Sequence, residues 1–358
     1  MRLRDVADIA GRPIGDNHPC FLVFEAGPTH DGLESAKELV RFAHEAGADA
    51  LKFQMTNPDR LVADREQLFT YKILVDRANG AVDEISEPLY DILVRRRLSH
   101  DDWAEVKSYC DSLGIIMYAT VGFLEDLRHL VEIGCPAIKI ASNDVNHFPM
   151  IREAARSGLN VQLDTGNAKI AEVEEAIDLV LSEGNDNIII HHCPSGYPAR
   201  MDGINLNIIP TLKRMFECPV AFSDHSPGWD MDIAALALGA NMIEKTITRD
   251  RTTRSVEHMF SLEPPETDKF VDVIRSVEIG FGSKRRTFTP EEMAGRQSLR
   301  RSAFLKFGVR KGDIISLSTI EFRRPGSGIG PDRWDEIEGR KFAQDMSEDH
   351  LLNWSDIE

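Results

Sequence analysis

Two lysines sit where a buried strand should carry apolar side chains: Lys52 between Leu51 and Phe53, and Lys139 between Ile138 and Ile140. Strands alternate faces, so if the flanking residues pack outward, both ammonium groups point to the inner face. An ammonium removed from water needs a partner. That partner is either an anionic ligand or an internal carboxylate, with Glu25 and Asp164 the candidates. Thr120, Ser142 and Ser223 add hydroxyl donors, and two point charges with hydroxyls make a cradle suited to phosphate. Glu25 and Glu244 are candidate proton-transfer or hydroxyl-orienting carboxylates. His225, in Ser223-Asp224-His225, is a candidate divalent-metal ligand or acid–base group.

These residues need a frame that brings them together. Short β-branched runs recur along the chain: FLVFEAG (21–27), ALKFQ (50–54), IIMYAT (115–120), AIKIAS (137–142), NVQLDTG (160–166), NIIIHHC (187–193), VAFSDH (220–225) and MIEKTIT (242–248). Each precedes a helical pattern such as EVEEAIDLVLSEG or DMDIAALALGA, and glycine recurs just before the next strand, as a helix stop should. Eight strand–helix units predict an α/β fold, a parallel (β/α)8 TIM barrel. Polar groups fall late in every strand: Glu25, Lys52, Thr120, Lys139 with Ser142, Asp164 with Thr165, His192, Ser223 with His225, and Glu244. Side chains at that end surround the chemistry of such barrels. His191 has the opposite parity to His192 and is expected to be structural.

Residues 55–98 form an insertion after the second strand, with YKIL and LYDILVRRR as helical stretches, placed to serve as a lid or site wall. The expected boundaries are 1–284 for the barrel, 285–297 for a charged linker and 298–358 for a small β-rich module. The 358 residues carry a net charge of −17, which disfavours nucleic acid and anionic membrane surfaces as partners. No apolar run approaches the roughly 18 residues of a membrane span. The five cysteines are odd in number and include no C-x-x-C pair, which predicts reduced thiols and a cytoplasmic location.

Taken in order, the motifs resemble the sialic acid (N-acetylneuraminate) synthase family, including legionaminic and pseudaminic acid synthases and spore-coat polysaccharide homologues. FEAGPTHDG, GADALKFQ, CPAIKIAS, LDTG, HHCPSGYPA, FSDHSPG, ALGANMIEKTIT and HMFSLEP follow the family's order. The tail RRSAF…VRKGDIIS…FRRPGSGI resembles its antifreeze-like (SAF) domain. Each motif alone is weakly specific, and the ordered set is highly specific. The resemblance implies condensation of phosphoenolpyruvate with an open-chain sugar aldehyde of the N-acetylmannosamine kind, giving a nonulosonic acid and phosphate. It places phosphoenolpyruvate on Lys52, Thr120, Lys139, Ser142 and Ser223, and Glu25 near the reacting centre. It places Tyr197 at the sugar end and Arg324 over the sugar from a second subunit, implying a domain-swapped homodimer. It also implies a divalent metal, Mn2+ or Mg2+, held in part by His225.

The chain departs from the family pattern at the metal and sugar half of the site. The second family histidine is replaced by Thr246, which leaves weaker metal binding, a rearranged site using Glu244 or His258, or no metal. Asp144 stands for a longer sugar-contacting carboxylate, and Asp164 for a phosphate-facing hydroxyl. Ser195 replaces an Asn or Glu, and Glu257 falls in the altered Ser255-Val256-Glu257-His258 stretch. Two alternatives follow: condensation with a different aldehyde, or a non-catalytic sugar-binding homologue.

Overall fold

The computed structural model, which describes residues 2–358, closes eight parallel strands into a barrel. The strands are β1 (Phe21–Glu25), β2 (Ala50–Met55), β3 (Ile116–Val121), β4 (Ala137–Ile140), β5 (Asn160–Asp164), β6 (Ile188–His192), β7 (Val220–Asp224) and β8 (Met242–Thr246). Their order around the barrel follows the chain, and β8 closes on β1. Between and after them run α1 (Leu33–Glu45), α2 (His100–Leu113), α3 (Leu124–Glu132), α4 (Phe148–Arg156), α5 (Ile170–Ser182), α6 (Ile208–Phe216), α7 (Asp230–Ala237) and α8 (Pro264–Phe281). The sequence explains them locally. Helix α1 buries Ala36, Leu39, Val40 and Ala43, one stripe at helical spacing. Helix α2 opens on a Ser99–Asp102 capping box and ends at Gly114, whose φ of 74° suits glycine.

Strand parity sorts the barrel wall into two environments. Leu22, Phe24, Leu51, Phe53, Ile138 and Ile140 pack outward in the core shared with the helices. Phe21, Val23, Ala50, Tyr118, Ala137, Ile189, Ala221 and Met242 face inward and form a separate apolar layer. An antiparallel hairpin, Val6–Ile9 with Arg12–Gly15, adds Ala7, Ile9 and Ile14 to that layer. Apolar packing therefore fills the barrel at its N-terminal end, and polar side chains occupy the other.

Two local expectations change. In β6, Ile189 faces inward, so His191 also does, and its Nε2 lies 2.8 Å from Gln162 Oε1. His192 points outward, stacks on Phe222 and places Nε2 2.6 Å from the Ile204 carbonyl. The run Ile188-Ile189-Ile190 is buried on both faces, so it carries no polarity cue to fix the parity. In the insertion, YKIL is not helical but lies in the strand Leu68–Asp76, antiparallel to Ala81–Pro88. Tyr71 and Ile73 are buried on either side of exposed Lys72, the period of two that marks a strand. LYDILVR forms the helix Leu89–Arg95.

Residues 282–358 make a second compact unit. It contains a helix, Pro290–Leu299, capped by Thr289 and Glu292, and an antiparallel strand pair, Ser302–Leu305 with Ile320–Arg323. Its own core includes Ala303, Leu305, Ile320, Ile337 and Phe342.

Candidate active site

Register brings the polar ends of the strands into one layer. Glu25 lies opposite Lys52, Thr120 opposite Lys139, and Ser223 opposite Glu244. The two ammonium groups converge: Glu244 Oε1 is 3.0 Å from Lys52 Nζ and 2.8 Å from Lys139 Nζ. Lys52 also pairs with Glu25, and Lys139 with Asp164 Oδ2 at 3.1 Å. Thr120 Oγ1 and Ser223 Oγ each lie 3.4 Å from one of these ammonium groups, and Ser223 donates to Glu244 at 2.9 Å. Internal carboxylates thus do neutralise both lysines, and the lysines still share one focus. A cavity of about 350 Å³ opens on them and is lined by both lysines, Glu25, Asp164, Ser142 and Ser223 among others.

The three carboxyls are not equivalent. Burial pushes Glu25 up despite Lys52, and pushes Asp164 up despite Lys139. Burial also acts on Glu244, but Lys139 and Lys52 together outweigh it and hold that carboxyl well below its usual range. Burial works against the charge on Lys52, yet Glu244 and Glu25 raise it well above an ordinary lysine. Glu244 is therefore the fixed anion between two cations, and Glu25 and Asp164 take up protons more readily. With two ammonium groups and three carboxyls, the floor is −1 when all are ionised and +1 when Glu25 and Asp164 are protonated. An entering anion favours the second state. Gly27 secures the geometry by donating its N–H to Glu25 Oε1 at 2.5 Å. A Cβ there would meet Gln54 Cγ at 2.5 Å and Glu25 Oε1 at 2.6 Å, so only glycine fits.

Around this floor, Asp144 lines the cavity from the Ser142–Asp144 turn, and burial raises its carboxyl, offset in part by His147. Tyr197 and His225 pack at 4.8 Å between ring centroids, and both line the cavity. Burial lowers His225 to about 4 against the pull of its hydrogen bond to Pro194, so the ring is neutral at pH 7. Its Nδ1 lies 3.2 Å from the Pro194 carbonyl, which only accepts, and this assigns the ring proton to Nδ1. Glu257 lines the same cavity and is pushed up to about 8, first by burial and then by Glu25. Thr246 is buried, with its hydroxyl 3.5 Å from Glu257 Oε2. Ser195 is not in the cavity lining and donates to the Gly166 carbonyl at 3.0 Å. Arg324 belongs to the C-terminal unit, where its Nε donates to the Leu299 carbonyl at 3.0 Å.

The donors near His225 do not fit a preformed divalent site. Glu244 is held by both lysines, Thr246 offers only a hydroxyl, and His258, whose Nδ1 is 2.7 Å from Thr248 Oγ1, does not line the cavity. Among the described residues, no three His, Cys, Asp or Glu side chains gather to hold a metal ion. Two further cavity residues, Gln54 and Arg96, lie outside the sequence-derived set. Gln54 was readable from parity, two residues beyond Lys52. Arg96 sits in the run Arg95-Arg96-Arg97, which gives no sign of which side chain turns inward.

Comparison with known proteins identifies the family. The NeuB family model matches residues 39–286 and the SAF domain model matches residues 300–358. The chain belongs to the NeuB family and is an enzyme of its phosphoenolpyruvate-dependent synthase type. It is 33% identical to the N,N'-diacetyllegionaminic acid synthase of Legionella pneumophila, over 97% of each chain. It is 30% identical to the human N-acetylneuraminate-9-phosphate synthase, over 96% of this chain and 94% of that one. The sialic acid synthetase of Leptospira borgpetersenii, solved with citrate, is similar at a TM-score of 0.70 and 28% identity, covering 82% of this chain and 95% of that one. Among the described residues, no helix is long and apolar enough to cross a membrane.

Proposed function

We propose that this chain condenses phosphoenolpyruvate with an open-chain amino-sugar aldehyde, forming a nonulosonic acid and releasing phosphate. One observation carries this: two ammonium groups meet at a single carboxylate oxygen on the floor of an open cavity. Lys52, Lys139, Thr120, Ser142 and Ser223 hold the phosphate and carboxylate of phosphoenolpyruvate through charge-assisted hydrogen bonds. Glu25 and Asp164 accept protons as that anion enters, which relieves the repulsion. Carbon 3 of the enol attacks the aldehyde carbon, water adds at carbon 2, and the hemiketal loses phosphate. Phosphoenolpyruvate, aldehyde and one water thus give the keto acid and inorganic phosphate.

Glu25, with its raised pKa, is the group that exchanges a proton at the reacting centre. Glu244 stays ionised and positions both lysines. His225, neutral with its Nδ1 proton on Pro194, presents Nε2 as an acceptor beside Tyr197. Tyr197, Asp144 and Glu257 bound the acceptor, and Glu257 carries a proton at neutral pH and can donate to the aldehyde oxygen. Ser195 supports the rim, and no step is assigned to a metal. Arg324 of a second copy completes the acceptor side in a swapped homodimer.

Phosphate release is measured with phosphoenolpyruvate and a panel of 2-acetamido-hexose aldehydes, with manganese, with magnesium and with chelator. Release with at least one acceptor is expected. Phosphoenolpyruvate binding without release across the panel points to the non-catalytic reading, and release only with other aldehydes points to a different acceptor.

A further inference from the structure

Three arginines close the insertion helix Leu89–Arg95, and they do different things. Arg95 pairs with Glu87 at 2.6 Å and Arg97 with Asp59 at 2.8 Å, in each case with a cation more than 40% exposed. Arg96 turns the other way. It lines the cavity that holds the lysine focus, and its Nη1 is buried without a hydrogen-bond partner. Among the described residues, no ion pair joins it to a carboxylate. The carboxyls of Glu257 and Glu25 act on it only from beyond ion-pair distance. Arg96 is half-buried and a guanidinium cannot discharge in a protein, so a buried Nη1 with no acceptor is unfavourable unless a ligand supplies one. Its planar fork suits a carboxylate or a phosphate ester.

We infer that Arg96 selects an acceptor bearing its own anionic group, a carboxylate or a phosphate ester. This rests on the condensation proposed above and names its substrate class. The anion belongs to the acceptor because the strand ends already give phosphoenolpyruvate two ammonium groups and several hydroxyls. Arg96 comes instead from the insertion wall, in the cavity that Tyr197 and Glu257 also line.

The test compares the full chain with Arg96→Leu, which keeps bulk, and Arg96→Lys, which keeps charge without the fork. Acceptors are a neutral 2-acetamido-hexose, its 6-phosphate and the corresponding uronate. Arg96→Leu should lower kcat/KM for the preferred charged acceptor by about 10- to 100-fold. It should leave the neutral acceptor and the KM for phosphoenolpyruvate unchanged, with Arg96→Lys intermediate. Equal losses for neutral and charged acceptors, or a matching rise in the phosphoenolpyruvate KM, overturn the inference.

Calorimetric titration of the phosphoenolpyruvate-loaded protein with sorbitol, sorbitol 6-phosphate and gluconate supplies a readout independent of turnover. Preference for one charged polyol, lost in Arg96→Leu while circular dichroism stays native, supports the inference and tells phosphate from carboxylate. No preference overturns it, even if the condensation stands. Absence of turnover with every acceptor fails the proposed function, and the titration still decides the role of Arg96.

Discussion

The barrel wall holds two buried lysine clusters on opposite faces, and only one of them borders open space. On the outer face, Lys245 of β8 pairs with Asp224, lies 3.4 Å from Asp232 and donates to the Ser226 carbonyl at 2.6 Å. Every ionic side chain in that group is 0% exposed. On the inner face, Lys52 and Lys139 share Glu244 beneath the cavity, with Asp164 10% exposed. Carboxyls outnumber ammonium groups in both. Burial likewise raises carboxyls in both, Asp232 outside and Glu25 and Asp164 inside. A buried lysine with acidic partners is thus no sign of a site by itself. The outer cluster braces β7 and β8 to α7, and the inner one can exchange partners because a ligand has room to arrive.

Substitutions on the two sides should separate these roles. The largest effect belongs to Lys139→Met, which should lower phosphoenolpyruvate-dependent phosphate release by about 100- to 1,000-fold, as loss of a preorganised donor does. A folded variant with near-normal turnover would erase the distinction. Lys245→Met leaves two buried carboxyls without their cation and should cost about 3–5 kcal/mol, read from the urea midpoint. Phosphate release per folded molecule should stay unchanged, and a fall in that value would make the outer cluster part of the site.

Asp164→Ser removes a carboxyl from Lys139 while keeping a hydroxyl. It should tighten phosphoenolpyruvate binding by about tenfold, close to the worth of one nearby charge in a partly screened site. Weaker binding in calorimetry would show that Asp164 positions Lys139 rather than competing with the ligand. A pH-dependent effect concerns Glu257, raised from 4.5 to about 8. An acid with a higher pKa folded than unfolded favours folding at low pH, and that stability is lost as pH rises from about 4.5 through 8. Across pH 5 to 9 the Tm should fall less steeply in Glu257→Gln than in the parent. Parallel curves would place the carboxyl in a more solvated setting.

Much of this site was legible before folding. Apolar neighbours on both sides of Lys52 and of Lys139 fix parity, and the structure turns both inward. Parity failed at His191 and His192 because β6 is buried on both faces, and a fully apolar run has no direction. YKIL misled for a related reason, since four residues suit either period until burial alternates. The inward turn of Arg96 among three identical neighbours could not be read at all.

Sequence alone determined the eight strand–helix units, the inward lysines and the family, because each is written in local spacing or ordered motifs. Tertiary structure decided which carboxyl each lysine meets, which carboxyls stay ionised and which lysine cluster adjoins a cavity. Those properties depend on distances between strands far apart in the chain and on water left beside them, and neither is encoded in local spacing.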